Sequence, residues 1–342
     1  SRARLEVLRQ QLAALPAVPD EAADGLTQSP REAPSTAADK VRLFRSLFRG
    51  RSEVYPTRFL SKKSGKFGYA PACSNKFVQG VCGLPQVKCG ECPNQAFLPF
   101  DDRAVLDHLQ GRHVIGVYPL LVDETCWFLA ADFDGSAWQD DVGAFVTTCA
   151  SAGVPVSIER SRSGNGAHAW YFFAEPIPVS TARRMGCFLI TETMARRHQL
   201  GMNSYDRLFP NQDTMPRGGF GNLIALPLQH EARRAGNTLF LDDSLEPYSD
   251  QWAYLAAISP MTRAAVDAIA DDATRRGAVI GVRGAEFDDD EDATPWNRSP
   301  AHKRKRPQVP GPLPPNVRGV LAQRLFVEKA GLPSALLNAT KR

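Results

Sequence analysis

Four cysteines, Cys73, Cys82, Cys89 and Cys92, fall within twenty residues in the spacing C-x8-C-x6-C-x2-C. A pair such as Cys89-Gly90-Glu91-Cys92 offers two thiolates from one tight turn, and Zn²⁺ takes four such ligands in a tetrahedron. The set predicts one structural zinc ion, because four cysteines leave no coordination position open for a substrate. The competing reading is four unrelated buried thiols. Cys126, Cys149 and Cys187 sit singly in apolar patterns and read as buried thiols. Seven cysteines without an apolar leader do not make a secreted disulfide framework.

Asp132-Phe133-Asp134 closes an apolar run from Cys126. On a strand, residues i and i+2 share a face, so both carboxylates reach one side while Phe133 points into the core. Paired oxygens of this kind suit Mg²⁺ or Mn²⁺, with phosphate oxygens completing the shell. Acids at strand ends are also commonly solvated caps. The next chemical segment is Ser161-Arg-Ser163-Gly164-Asn-Gly166-Ala-His168, a turn between two apolar runs. Small residues there leave backbone N–H groups free for phosphate, and the serines and histidine add donors. A plain glycine hairpin with an incidental histidine is the alternative. Together, two acids at one strand end and a Ser/Gly/His turn between the next two strands make the layout of a metal-dependent nucleotidyl-transfer site.

The elements that must hold these residues follow from periodicity. Cys126–Ala131 reads as a buried strand. Trp138, Val142, Phe145, Val146 and Cys149 recur at helical spacing until Gly153. Val154–Ile158 and Ala167–Ala174 read as strands, Ser180 as the cap of a helix reaching His198, and Leu223–Leu228 as a last strand. The order is β-α-β-β-α-β, a ferredoxin-like or RNA-recognition-type α+β sheet with two helices on one face. Downstream, Ser249 or Asp250 begins one helix, and Ser259-Pro260 opens another with proline at its first position.

Upstream, residues 1–39 read as a short amphipathic helix, through Leu5, Leu8 and Leu12, followed by a Pro- and acid-rich linker. Residues 40–112 hold a basic segment, Lys40–Lys66, with Phe44, Phe48, Tyr55 and Phe59 interleaved, and then the cysteine cluster. That segment suits nucleic acid, or equally a packed helix with a basic outer face. Residues 113–280 form the catalytic core. Residues 281–314 form a charged, Pro-rich linker containing the acid run Glu286–Asp292 and the basic run His302–Arg306. Residues 315–342 resume helical periodicity.

Composition sets the outer limits. The chain of 342 residues is 43% hydrophobic and 23% charged, ordinary for a folded protein of about two domains. A net charge of +4 permits a nucleic-acid partner without demanding one. No apolar run is long enough to span a membrane. The opening Ser-Arg-Ala-Arg-Leu-Glu, with neither initiator Met nor apolar core, is expected of a piece of a longer cytoplasmic chain.

The motifs also carry a resemblance. Leu129-Ala-Ala-Asp132-Phe-Asp134, Ser163-Gly-Asn-Gly-Ala-His168-Ala-Trp170 and Tyr205-Asp206 resemble the hhhDhD, SxGxGxH and hD motifs of the archaeo-eukaryotic primase superfamily, which includes primase–polymerases. Phe48-Arg-Gly-Arg51, Gly68-Tyr-Ala-Pro-Ala-Cys73, Phe209-Pro-Asn-Gln-Asp213 and Gly219-Phe-Gly-Asn-Leu-Ile-Ala-Leu-Pro-Leu-Gln229 resemble the primase module of prokaryotic TOTE conflict-system proteins. The resemblance covers residues 40 to 260. It implies a template-dependent DNA primase–polymerase in which Asp132, Asp134 and Asp206 hold two Mg²⁺ or Mn²⁺ ions, with Asp213 a competitor for the third place. It implies that the loop of Ser161, Ser163, Gly164, Gly166 and His168 meets the incoming triphosphate. It further implies nucleotide or template contacts from Arg217, Asn222 and Gln229. The expected partners are single-stranded template, primer–template and dNTP or NTP, with helicase and nuclease regions on the same full-length chain. A metal-dependent nuclease and a catalytically silent zinc-containing single-strand-binding module are the rival readings.

Overall fold

The computed structural model describes residues 33–61, 65–84, 86–196, 204–216 and 218–277. The chain divides into two units, Ser1–Thr294 and Pro295–Arg342, and the second lies wholly outside the described residues. So do the expected N-terminal helix, the acidic and basic runs of the linker, and the last helical stretch.

Helix α1 (Ala37–Leu47) starts at Thr36, whose hydroxyl accepts from the Asp39 N–H while the Asp39 carboxylate accepts from the Thr36 N–H. This reciprocal cap satisfies two end amides and fixes where the helix begins. The helix buries Val41, Phe44 and Leu47. Phe48, just past it, meets Trp170 edge-on at 5.1 Å. The aromatics Phe44 and Phe48 of the basic segment are therefore core, and the packed-helix reading describes them. A hairpin follows, β1 (Pro56–Leu60) against β2 (Phe67–Pro71), then the cysteine loop and α2 (Asp102–Leu109), capped by Asp101.

The main sheet is built from β4 (Thr125–Asp134), β5 (Ser157–Arg160), β6 (Gly166–Pro178), β7 (Tyr205–Phe209) and β9 (Phe240–Leu241), in the order β7-β4-β6-β5-β9. Every pairing is antiparallel. With α3 (Trp138–Ser151) and α4 (Val179–Arg196) in place, the chain order from β4 to β7 is β-α-β-β-α-β. The alternation along β4 assigns the two faces. Leu129, Ala131 and Phe133 pack with Val142, Phe145, Met185 and Leu189 of α3 and α4, and with Val266 and Ala273 of α7 (Arg263–Arg276). Phe128 and Ala130 on the opposite face pack with Phe44, Phe48 and Trp170. The N-terminal elements thus share a core with the sheet.

Four expectations need correction. The fourth strand of the sheet is Tyr205–Phe209, not Leu223–Leu228. From the latter run only Ile224–Ala225 (β8) is strand, paired with β3 (Gly116–Val117) in a separate ladder, because Pro227 has no N–H to extend it. The sheet has three helices on one face rather than two, since α7 joins α3 and α4. Helix α4 begins at Val179, directly after the strand, so Ser180 lies inside its first turn. Helix α7 begins at Arg263 behind Thr262. Pro260 precedes it, because Met261 is held extended by bonding to Phe172 and Ala174 beside β6.

Two short helices, α5 (His230–Arg234) and α6 (Gln251–Ala257), complete the described elements, the latter capped by Asp250 as the sequence suggests. No helix among the described residues is long and apolar enough to cross a membrane.

Candidate active site

Asp132, His168 and Glu159 stand opposite one another on β4, β6 and β5, a single rung across three strands. His168 Nδ1 is 2.6 Å from Glu159 Oε2, and its Nε2 is 3.5 Å from Asp132 Oδ1. Glu159 is buried and also accepts from the Trp170 indole N–H at 3.2 Å. One carboxylate thus orients two rings, leaving Nε2 of the imidazole to face the acids. The sequence reading missed Glu159. Its only local signal was an acid inside the short strand Ser157-Ile-Glu159-Arg.

The electrostatics follow from this crowding. Burial raises the Asp132 carboxyl to about 6; His168 opposes the shift, Asp134 and Asp206 add to it, and Arg207 opposes it again. For His168, burial favours the neutral ring. The charge and hydrogen bond of Glu159, joined by Asp132 and Asp134, outweigh burial and push it up to about 9. Asp134 and Asp206 therefore both act on Asp132, beside a single histidine.

Phe133 lies in the helix-side core, 5.2 Å from Phe145, so Asp132 and Asp134 share the other face as their spacing predicts. Asp134 is exposed at the end of β4 and its N–H donates to Ser204 O at 2.7 Å. The Ser204 hydroxyl in turn donates to buried Asp141 of α3 at 2.6 Å. This link anchors the start of β7 and with it Asp206, which pairs with Arg207 at 2.8 Å. Asp213, the competitor for the third place, is held by Arg183 of α4.

The Ser161–His168 loop is tighter than expected. Gly164, at φ +78°, donates its N–H to Ser161 O, and Asn165 donates to the Ser163 hydroxyl. Those two amides are spent inside the turn and are not free for phosphate, which corrects the open-cradle expectation. The Ser161 and Ser163 hydroxyls lie 3.0 Å apart. Gly166 is where only glycine fits: a Cβ there would sit 2.4 Å from Phe133 O and 2.6 Å from Asp134 Oδ1. The missing side chain lets the loop close against the acids.

The structure does not aim the remaining expected contacts at this rung. Asn222 accepts from the Asn211 N–H and donates to Leu208 O. Gln229 caps α5 through the Ala232 N–H and accepts from Arg162. Both are spent on backbone and loop bracing, the hydrogen-bonding role that strand-end amides commonly take. Arg217 lies outside the described residues.

Cys73, Cys82, Cys89 and Cys92 line one small cavity of about 20 Å³, with Cys89 opening a single 3₁₀ turn. All four are half-buried, whereas Cys126, Cys149 and Cys187 are buried in the core. Their donor type suits a thiophilic ion. Among the described residues, no three or more His, Cys, Asp or Glu side chains are drawn together tightly enough to hold an ion as they stand, here or at the aspartates.

A sequence profile for the archaeo-eukaryotic primase domain of TOTE conflict systems matches residues 39–269. No curated protein matches the chain. Among solved structures, the chain is similar to the polymerase domain from Mycobacterium tuberculosis Ligase D in complex with DNA. The two are 12% identical, with a TM-score of 0.33, over 74% of this chain and 96% of that one.

Proposed function

The chain belongs to the archaeo-eukaryotic primase family of TOTE conflict systems, and from that premise we propose that it is a template-dependent DNA primase–polymerase acting through Asp132, Asp134 and Asp206. A primase is a nucleotidyltransferase, so that class of chemistry comes with the family. The observation that carries the finer reading is the rung Asp132–His168–Glu159 with Asp134 and Asp206 beside it.

Carboxylates are hard oxygen donors, and the burial and mutual repulsion felt by Asp132 are what a divalent cation would relieve. Asp132, Asp134 and Asp206 would hold two Mg²⁺ or Mn²⁺ ions, which when bound supply charge neutralisation of the triphosphate and activation of the attacking hydroxyl. His168 is fixed by Glu159 through Nδ1, so its Nε2 would donate to a phosphate oxygen without first having to reorient. The paired hydroxyls of Ser161 and Ser163 lie on the loop that Gly166 brings against Asp134, and they offer the next donors. In-line displacement by a hydroxyl needs no covalent enzyme intermediate. The cysteine set would hold one zinc ion, whose work is to fold its loop.

Incubation with primer–template, Mn²⁺ and dNTP or NTP tests the reading. Lengthened, template-matched products are expected. Shortened products would instead make the same acids those of a nuclease, and strand binding without incorporation would leave a silent binding module.

A further inference from the structure

The motif Phe48-Arg49-Gly50-Arg51 has no part in the rung of acids, and its arginines line a cavity of their own. Phe48 is anchored in the core, edge-on to Trp170 and Phe172. Gly50 lies flat on the end of β3, where a Cβ would stand 2.2 Å from Val117 Cγ2 and 2.4 Å from Tyr118 O. The Arg51 N–H donates to Tyr118 O at 3.0 Å. Held at these points, the motif presents Arg49 and Arg51 to a cavity of about 960 Å³. Arg42 and Arg45, one turn apart on α1, line the same cavity.

Trp127 of β4 is part of that lining. The pairing of β4 with β6 slips between Cys126 and Phe128, so Trp127 stands at a bulge, a device that re-aims a side chain out of the regular alternation. The Arg49 guanidinium lies 4.0 Å from the centre of the Trp127 ring, and its Nε donates to Ser46 O at 3.0 Å. A guanidinium stacked on indole and pinned at Nε is preorganised, and its rigid fork matches the oxygens of a phosphate. Acids share the rim: Asp102 pairs with Arg45, Glu53 with Arg51 and Asp39 with Arg42, while Asp123 accepts from the Thr125 N–H and hydroxyl. Surface pairs of this kind are weak, so an anion that meets several arginines at once can displace them.

We propose that this cavity is a second anion site, taking a polyphosphate either free or as the tail of a nucleotide. Trp127 precedes Asp134 on the same strand by a distance of roughly 20 Å, so the cavity is separate from the catalytic centre. The ligand class follows from the lining. A lone carboxylate would only replace the acids already there. A polyphosphate carries several charges on a short chain and can engage Arg42, Arg45 and Arg49 together. The volume lies at the upper end of small-molecule pockets, which run from roughly 300 to 1,000 Å³. The site stands whether or not the aspartates polymerise.

Isothermal titration calorimetry on the full chain tests it, in EDTA so that no divalent cation bridges the anion to the aspartates. The probes are tripolyphosphate, ATP, adenosine and citrate. Tripolyphosphate should bind, and adenosine should not. Arg42→Ala, Arg45→Ala and Arg49→Ala should each weaken tripolyphosphate about fivefold or more, as the loss of a charge-assisted hydrogen bond does. The Arg42 side chain is 73% exposed, so its loss leaves the core intact and keeps the test valid if another variant misfolds. Asp132→Ala should bind tripolyphosphate as the parent does. ATP binding tighter than tripolyphosphate marks a nucleotide site, and ATP binding no tighter marks a site for the inorganic anion. No binding by the parent, parental affinity in all three arginine variants, citrate binding as tightly as tripolyphosphate, or loss in Asp132→Ala would each overturn the site.

Discussion

Glu159 and His168 share the shortest polar contact on the central rung, 2.6 Å from Oε2 to Nδ1, on neighbouring strands β5 and β6. The acid touches the ring but not the side of it that faces Asp132. Glu159 is therefore a positioning residue for the histidine.

Glu159→Gln should raise the apparent KM for nucleotide about tenfold while changing kcat less, as His168→Ala should, because both loosen the grip on the triphosphate. The decisive comparison is the double variant. Two residues acting as one unit are not additive, so Glu159→Gln should add little on top of His168→Ala. Fully additive losses in kcat/KM would show that Glu159 only supports the fold.

Asp132→Ala or Asp134→Asn should drop turnover to background, with no rescue by added nucleotide. Strand affinity measured by anisotropy should survive, since the proposed role of these carboxylates is to hold metal rather than the strand. If both variants extend primers at the parental rate, the catalytic centre has been misplaced.

Gly166→Ala puts a methyl 2.4 Å from a backbone oxygen that cannot turn aside. The expected cost is about 1–3 kcal/mol of stability, as for other overpacked sites. Activity should fall further than the stability loss explains, because the end of β4 carrying Asp134 must shift. Denaturation and primer extension on the same sample separate the two effects.

His108 supplies a pH test remote from the acids. It is fully buried, with Nε2–H donating to Pro227 O at 2.9 Å and Nδ1 accepting from the Ile115 N–H at 3.3 Å. Burial pushes its pKa down to about 4. The unfolded chain takes up a proton near 6.5 and the folded one does not, so this contribution is complete above about 6.5 and is lost as pH falls toward 4. The sum is about 3 kcal/mol. Urea midpoints should fall more steeply with acid for the parent than for His108→Gln; parallel curves would contradict the assignment.

One zinc ion per chain is expected by elemental analysis, released in Cys89→Ser along with loss of order in residues 73–92. A metal-free preparation that is equally stable would remove the zinc claim.

The acids of β4 and the glycine loop were legible because their chemistry is local: i and i+2 share a face wherever a strand forms. Glu159 was not, because only cross-strand register puts it opposite His168, and register joins residues that no local pattern connects. Tyr205–Phe209 hid for a related reason. Its middle is the polar pair Asp206-Arg207, so it lacks the apolar run that made Leu223–Leu228 the more strand-like segment. Phe44 and Phe48 were ambiguous since arginines on the outer face of a helix interleave with core aromatics just as they would in a nucleic-acid-binding stretch.

Asp206 rides on β7, five residues at the margin of the sheet with β4 as its sheet neighbour and a register shift between them. Such a margin opens at lower free energy than the interior, well before the whole domain melts. On warming, the third carboxylate should thus drift from the other two while the bulk of the fold is intact. Heat inactivation would then run ahead of the calorimetric transition and reverse on cooling, making β7 the thermal fuse of the enzyme.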